Sequence, residues 1–487
     1  MDNGEYRELQ RQERHNKRKK KVRILRILLA LGIILAVVLG FAIYDMYAQK
    51  AAEKEKEDAE KQAAETVVQN ETQEDAEAKE KRAEQIEKAE YLAMTYDYDA
   101  AIAELELIQG YESDEEIQTL LTEIKDTKAS CVPVNIDEVT HIYYHSLVVD
   151  PERAFANQEK DSQAAGNNQW MTTVSEFNKI TQEMYDRGYV MVSIHDLINV
   201  TQDEKGNTVY EPAEILLPPD KKAFVLSMDD LNYYHAYDGY GFATKLVLDE
   251  DGKVMNEYTD ADGKTTIGAY DVVPLMDQFV EEHPDASYRG AKGIIGLTGY
   301  NGILGYRTDS TYDLDNPDCD DHQKAWIKAH PDFTLESEIE EAQKVVNAMK
   351  ENGWEFANHT WGHLEIQDTS MKKLKSDTEK WKKNVEPIVG ETDAILFAHG
   401  QDIQGRGDYD KDNEKYQYLR SQGYSIFCNV DSEEYTTWFG TDYLRQGRRN
   451  LDGYRIYYNA IGEQDNLSDL FDAKEILDPK RPKVPEL

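Results

Sequence analysis

His359 and His363 stand four positions apart in the stretch Phe356-Ala-Asn-His-Thr-Trp-Gly-His363. An acidic pair, Asp229-Asp230, ends the apolar run Ala223-Phe-Val-Leu-Ser-Met228. Two imidazoles at that spacing face one point if the backbone turns helically between them. A carboxylate from a second strand end then completes a three-ligand set with one position left open, which is how a hydrolytic zinc site is built. The other aspartate of the pair is free to act as a base. Two histidines and one carboxylate accept zinc, cobalt or nickel; a divalent ion, zinc first, is the expected cofactor. Cys131, Cys319 and Cys428 are too few and too widely spaced for a thiolate site or a disulfide framework.

The elements that must position these residues alternate along residues 131–487. His141-Ile-Tyr-Tyr-His145 reads as a strand. Thr173 to Gly188 reads as a helix, started by Thr173 or Ser175 and stopped by Gly188. Tyr189–Ser193 and Ala223–Met228 read as strands, Val272–Glu282 as a helix, and Ala291–Leu297 as a strand. Glu336–Glu351 carries Ile339, Ala342, Val345 and Met349 on one helical face. Trp354–Asn358 is the strand that delivers His359, and Ala394–Ala398 and Tyr424–Asn429 close the series. Such alternation predicts an α/β fold with a parallel sheet closed or nearly closed into a barrel, whose chemistry sits at the carboxyl ends of the strands. Asp229, Asp230 and His359 fall there. Residues 240–269 break the pattern with two Asp-Gly turns and predict a β-hairpin insertion. Its acidic residues do not have the spacing of an EF-hand loop.

The chain has 487 residues and a formal net charge of -40. Residues 1–26 hold 10 Lys/Arg against 4 Asp/Glu, which leaves about -46 on the remainder. A surface so acidic argues against nucleic acid as a partner. Ile27 to Tyr44 is an uncharged apolar run of 18 residues, close to the length of a spanning helix. The basic flank of residues 1–26 predicts a cytoplasmic tail, a single transmembrane helix over 27–44, and a C-terminal part outside the cell membrane. Residues 45–82 read as a charged helical stalk. Residues 83–130 carry three apolar stripes: Ile86, Ala89, Leu92 and Ala93; Tyr98, Ile102, Leu105 and Ile108; and Ile117, Leu120, Leu121 and Ile124. The segment around Tyr98 resembles one tetratricopeptide-type helical hairpin, a spacer or docking module whose partners the sequence does not name.

Residues from about 138 to 460 resemble a polysaccharide deacetylase, the carbohydrate esterase family related to nodulation-factor deacetylase. That family's Thr-Phe-Asp-Asp-Gly motif stands here as Ser227-Met-Asp-Asp-Leu231, and its His-Ser/Thr-x-x-His motif as His359-Thr-Trp-Gly-His363. The resemblance implies a distorted (β/α) barrel. It implies Asp229 as the base and Asp230, His359 and His363 as metal ligands. It also implies removal of N-acetyl groups from N-acetylglucosamine units of peptidoglycan or an exopolysaccharide. The chain departs from the family pattern in three places. Leu231 replaces the motif's glycine. The arginine motif that orients the base has no copy, its place reading Leu396-Phe-Ala-His-Gly-Gln401. No histidine follows His399, so the family's terminal acid is missing. His399, at a strand end, is the expected substitute, with His145 a second candidate. Tyr233, Tyr234 and Trp361 are candidates for a sugar-stacking groove. A glycan-binding protein that has lost turnover and an O-acetyl glycan esterase remain as alternative readings.

Overall fold

The computed structural model describes residues 73–487. The basic tail, the apolar run and most of the stalk lie outside the described residues. Among the described residues no helix is long and apolar enough to cross a membrane. The chain divides into Met1–Glu84 and Gln85–Leu487. In the first unit, residues 73–84 are helical; the second holds the remaining elements.

Seven parallel strands close into a barrel. In chain order the principal strands are β1 (Thr140–Tyr144), β2 (Tyr189–Val192), β3 (Lys222–Asp229), β4 (Ile294–Leu297), β5 (Glu355–Asn358), β6 (Ala394–Leu396), β7 (Ile426–Val430) and β8 (Leu444–Asn450). The ring runs β3-β4-β5-β6-β7-β8-β1 and returns to β3. The barrel is distorted at two shared edges. β2 pairs with the lower half of β3 (Val192 with Val225), and β4 with its upper half (Asp229 with Gly296). One edge of β8 likewise serves the antiparallel strand Thr437–Phe439 below and β1 above. β8 is absent from the sequence expectation. Its residues Leu-Arg-Gln-Gly-Arg-Arg-Asn carry little apolar pattern, yet all seven are buried.

Alternation along the strands sorts side chains to two faces. Ala223, Val225, Ile294, Ala357, Ala394, Leu396, Ile426, Cys428 and Leu444 pack together as the lower filling of the barrel. Phe224, Leu226, Met228, Ile295 and Leu297 face the surrounding helices instead. Those helices start where the sequence offers a cap. Before the first barrel strand the chain forms the helices α1 (Gln73–Met94), α2 (Tyr98–Glu106) and α3 (Glu115–Ser130). α4 (Val174–Asp186) has a capping box between Thr173 and Glu176, and α5 (Val272–Glu282) is capped by Asp271. α6 (Leu335–Glu351) starts on Thr334, and α7 (Met371–Asn384) on Ser370. Such caps contribute about 1 kcal/mol each.

Ala89, Tyr98, Leu105, Ile117 and Leu121 from α1, α2 and α3 join the same apolar cluster as the barrel filling. Tyr96 donates to the Asp285 carbonyl at 2.7 Å and stacks on Tyr288 at 6.4 Å, in the segment that leads into β4. The 240–269 insertion forms three antiparallel strands, because both Asp-Gly turns close a hairpin. Asp249 and Asp260 accept backbone N–H groups within these turns. That gives their carboxylates a structural task without calcium.

His195, after β2, bridges the starts of β5 and β6. Its Nδ1 lies 3.1 Å from Glu355 and its Nε2 2.9 Å from Asp393. Burial pushes its pKa down, but the hydrogen bonds and charges of Asp393 and Glu355 outweigh this and raise it to about 10. A raised folded-state pKa means that the clamp's contribution is complete below the unfolded value and is lost as pH climbs through about 10. The side chain is partly exposed, so the effect is modest. We expect the parent protein to lose more resistance to urea than His195→Gln between about pH 6 and about pH 11. Parallel pH profiles for the two proteins would rule the clamp out.

Candidate active site

The upper interior of the barrel is polar. His141 on β1 is buried, and burial together with the Arg448 charge pushes its pKa down to about 3, so it is neutral. Its Nδ1 donates to Gln446 Oε1 at 3.0 Å, which leaves Nε2 to accept from Ser227 Oγ at 2.9 Å. Above this pair Arg448, fully buried on β8, grips Asp229 in a two-pronged bond, Nη1 to Oδ1 at 2.7 Å and Nη2 to Oδ2 at 3.0 Å. Arg448 Nη1 also donates to Ser227 Oγ at 3.2 Å, and its guanidinium lies 4.5 Å from the Tyr143 ring centre. Burial raises the Asp229 pKa, but the Arg448 charge and hydrogen bonds, aided by His359, hold the carboxyl well below the ordinary range. Asp229 is therefore an ionised, oriented carboxylate. Sequence reasoning missed Arg448 because it sought an arginine after β6. The available signal was the alternation Leu444, Gln446, Arg448 and Asn450, which gives one face of a strand.

Asp230, His359 and His363 each offer one ligand atom, all within 4.8 Å of one another. His363 Nε2 is 3.4 Å from Asp230 Oδ2, and His359 Nε2 is 4.0 Å from Asp230 Oδ1. His359 Nδ1 donates to the Leu396 carbonyl at 2.6 Å, so Nε2 is the free nitrogen. A ligating histidine is commonly held by such a bond through its other nitrogen. Burial lowers the His359 pKa, which also keeps that lone pair available. The two-nitrogen, one-carboxylate donor set suits a zinc-type ion. β4 presents Gly296 to this space; a Cβ there would come within 3.2 Å of Asp229 Oδ1 and 3.5 Å of His359 Cβ.

The turn that joins the two histidines is not helical, and it still brings both imidazoles to one point. Thr360 (φ 62°) and His363 (φ 52°) are left-handed, as is Asp230 (φ 59°). Such conformations cost about 1–3 kcal/mol each in non-glycine residues and persist only when their surroundings enforce them. Here Asp377 of α7 accepts the N–H groups of Trp361 and Gly362 at 2.7 and 2.8 Å, and Asn358 Oδ1 accepts the Thr360 N–H at 2.6 Å.

The family description Polysaccharide deacetylase matches residues 325–417. That span holds α6, β5, both histidines and β6. Over those residues the chain is similar to polysaccharide deacetylases. Its fold is similar to the deacetylase PplD of Streptococcus pyogenes in complex with acetate, at 14% identity over 65% of this chain and 93% of that chain, with a TM-score of 0.33. It is also similar to BC0361, a polysaccharide deacetylase from Bacillus cereus, at 10% identity over 66% of this chain and 65% of that chain, with a TM-score of 0.32. No curated protein matches the chain.

Around this ligand set stand the remaining candidates. Tyr233 is not in a groove: it is buried, and its hydroxyl donates to Asp271 at 2.9 Å. Tyr234 donates to Asp230 Oδ1 at 2.6 Å, and its ring stacks on Tyr300 at 4.8 Å. Tyr300 in turn meets the edge of Trp361, whose other neighbour is Lys380, 4.1 Å from the ring centre. His399 packs edge-on against His363 with ring centres 4.3 Å apart, and burial and the His363 charge lower its pKa. His145, just past β1, stands 5.7 Å from the Tyr143 ring, and its charge acts on Asp229, Asp230 and the buried Asp452.

Proposed function

We propose that this protein is a metal-dependent deacetylase that removes N-acetyl groups from N-acetylglucosamine units of a cell-wall or exported polysaccharide. The observation that carries the reading is the pairing of Asp229 with Arg448 beside the Asp230, His359 and His363 set. A divalent ion held by those three residues supplies Lewis acidity toward the acetyl carbonyl and the attacking water. Asp229 is the base that takes the proton as water attacks. Arg448 keeps that carboxylate ionised and fixes both of its oxygens, so that no reorganisation is needed when the proton arrives. The departing amine needs a proton. We assign its donation to His145, which stands just past β1 within electrostatic reach of Asp229 and Asp230. His399 lies against His363 and is more exposed, and the expectation that it serves as the acid is weaker on this geometry.

The reading as a silent glycan-binding protein rested on the missing arginine motif and the missing terminal histidine, and the Arg448–Asp229 pair speaks against the first of these grounds. The basic segment and apolar run of residues 1–44 support holding the catalytic unit at the outer face of the cell membrane, near its polymer.

The test is acetate release by the zinc-loaded full-length protein from N-acetylglucosamine oligomers and peptidoglycan. Asp229→Asn is expected to lower the rate by about 10²–10⁴-fold with the ion still bound. His363→Ala is expected to lose both ion and turnover. Unchanged release in Asp229→Asn would sink the role of the base, and release confined to O-acetylated glycans would replace the substrate. Separate His145→Gln and His399→Gln variants assign the acid by which one loses the basic limb of the rate profile.

A further inference from the structure

We propose that Tyr234 is a positioning residue for the metal ligand Asp230: its hydroxyl ties down one carboxylate oxygen and thereby sets which oxygen meets the ion. The inference rests on the metal-site reading above and goes beyond the ligand set itself. The segment after the aspartates differs from the expected glycine turn, and its construction explains how Tyr234 reaches back. Leu231 is fully buried, and its carbonyl accepts the Leu304 N–H at 3.0 Å. Asn232, also fully buried, donates to the carbonyls of Thr298 and Gly302 at 2.9 and 2.6 Å. These bonds dock residues 231–233 onto the loop after β4, and the chain then doubles back so that Tyr234 meets Asp230 four residues earlier.

The hydroxyl lies 2.6 Å from Asp230 Oδ1 and also contacts Thr298 Oγ. With Oδ1 engaged, Oδ2 is the oxygen turned to His363, at 3.4 Å. The ring is fixed independently, by its near-parallel stack on Tyr300 with planes 7° apart. Tyr300 and Gly299 both donate their N–H groups to the carbonyl of Trp361, the residue between the two histidines, at 3.1 and 3.0 Å. Tyr234 therefore connects the loop of the carboxylate ligand to the turn of the imidazole ligands. A hydrogen bond to a ligating carboxylate orients it and raises metal affinity, typically by 10–100-fold.

The experiment compares the full-length protein with Tyr234→Phe, which keeps the stacked ring and deletes only the hydroxyl. Zinc affinity is measured by competition with a chromophoric chelator. The cobalt-substituted proteins are compared by visible absorption, and the metal-free proteins by thermal unfolding. The expected result is a roughly tenfold or greater loss of zinc affinity, a changed cobalt spectrum and an unchanged metal-free unfolding temperature. Acetate release should return at excess zinc. Equal affinity and an identical spectrum in the two proteins would overturn the inference, as would a change confined to metal-free stability. If Tyr234→Phe does not fold, Thr298→Val, which removes the hydroxyl's other partner, takes its place in the same measurements, and the same outcomes support or overturn the inference. A parent protein that binds no ion would refute the metal-site reading itself, and the inference with it. Binding in the parent with no difference in the variant refutes the inference alone.

Discussion

Arg448→Met lowers acetate release by about a hundredfold or more and moves the acidic limb of the rate profile to higher pH. The expectation follows from what Arg448 does to Asp229. Both groups are buried, and two short hydrogen bonds offset the cost of placing a carboxylate inside the barrel. The fork of a guanidinium matches the two oxygens of a carboxylate, so charge and orientation come together. Without it, burial is left as the largest influence on Asp229, and burial favours the protonated form, which cannot act as a base. The sign is fixed by the direction of the shift. In the parent the depressed pKa keeps Asp229 ionised across the neutral range, and its stabilising contribution is lost only as pH falls below the ordinary carboxylate values. In the variant that loss begins at higher pH. Arg448→Lys restores the charge but not the fork, so it should recover the pH profile more fully than the rate. An acidic limb that does not move in Arg448→Met would show that another group orients the base. Folding of the variant must be checked, since an unpaired buried charge costs about 3–5 kcal/mol.

The largest effect on stability is expected at Arg481, far along the C-terminal tail. Arg481 and Glu176 are both fully buried, with Nη2 2.6 Å from Oε2 and Nε 2.8 Å from Oε1. Arg481 also donates to the carbonyls of Asn168 and Met171 at 2.8 and 2.9 Å. Glu176 does double service: its Oε2 accepts the Thr173 N–H that opens α4, and its Oε1 accepts the Asp478 N–H from the tail. The pair thus fastens the tail to α4. Arg481→Met should cost about 3–5 kcal/mol, because it strands the Glu176 charge in the interior. Adding Glu176→Gln should recover part of that loss, since the stranded charge is then removed and the amide oxygen still accepts one of the two N–H groups. Urea unfolding of the two variants checks this. A single variant as stable as the parent would show that the tail does not need the pair.

What the residues alone determined is the chemistry-bearing set and the order of the elements around it. The alternation of apolar strands with capped amphipathic helices is a local pattern, and it placed α5 at Val272–Glu282 and His359 just past a strand end. The motif Ser227-Met-Asp-Asp and the pair His359 and His363 are contiguous in sequence, so their types and spacing can be read without a fold.

Only the tertiary structure decided what supports that set, because the support comes from distant parts of the chain. Arg448 lies 219 positions from Asp229, on a strand too polar to be recognised. It is polar because the inner face of a narrow barrel beside a charged site must pair charges rather than exclude them. The left-handed turn at Thr360 and His363 is likewise imposed from outside, by Asp377 on the following helix. The hydroxyl of Tyr234 reaches Asp230 because the segment between them docks on the loop after β4. Sequence pattern reports local periodicity and residue type. Pairing across a closed ring of strands depends on which edges meet, and that is settled only when the barrel closes.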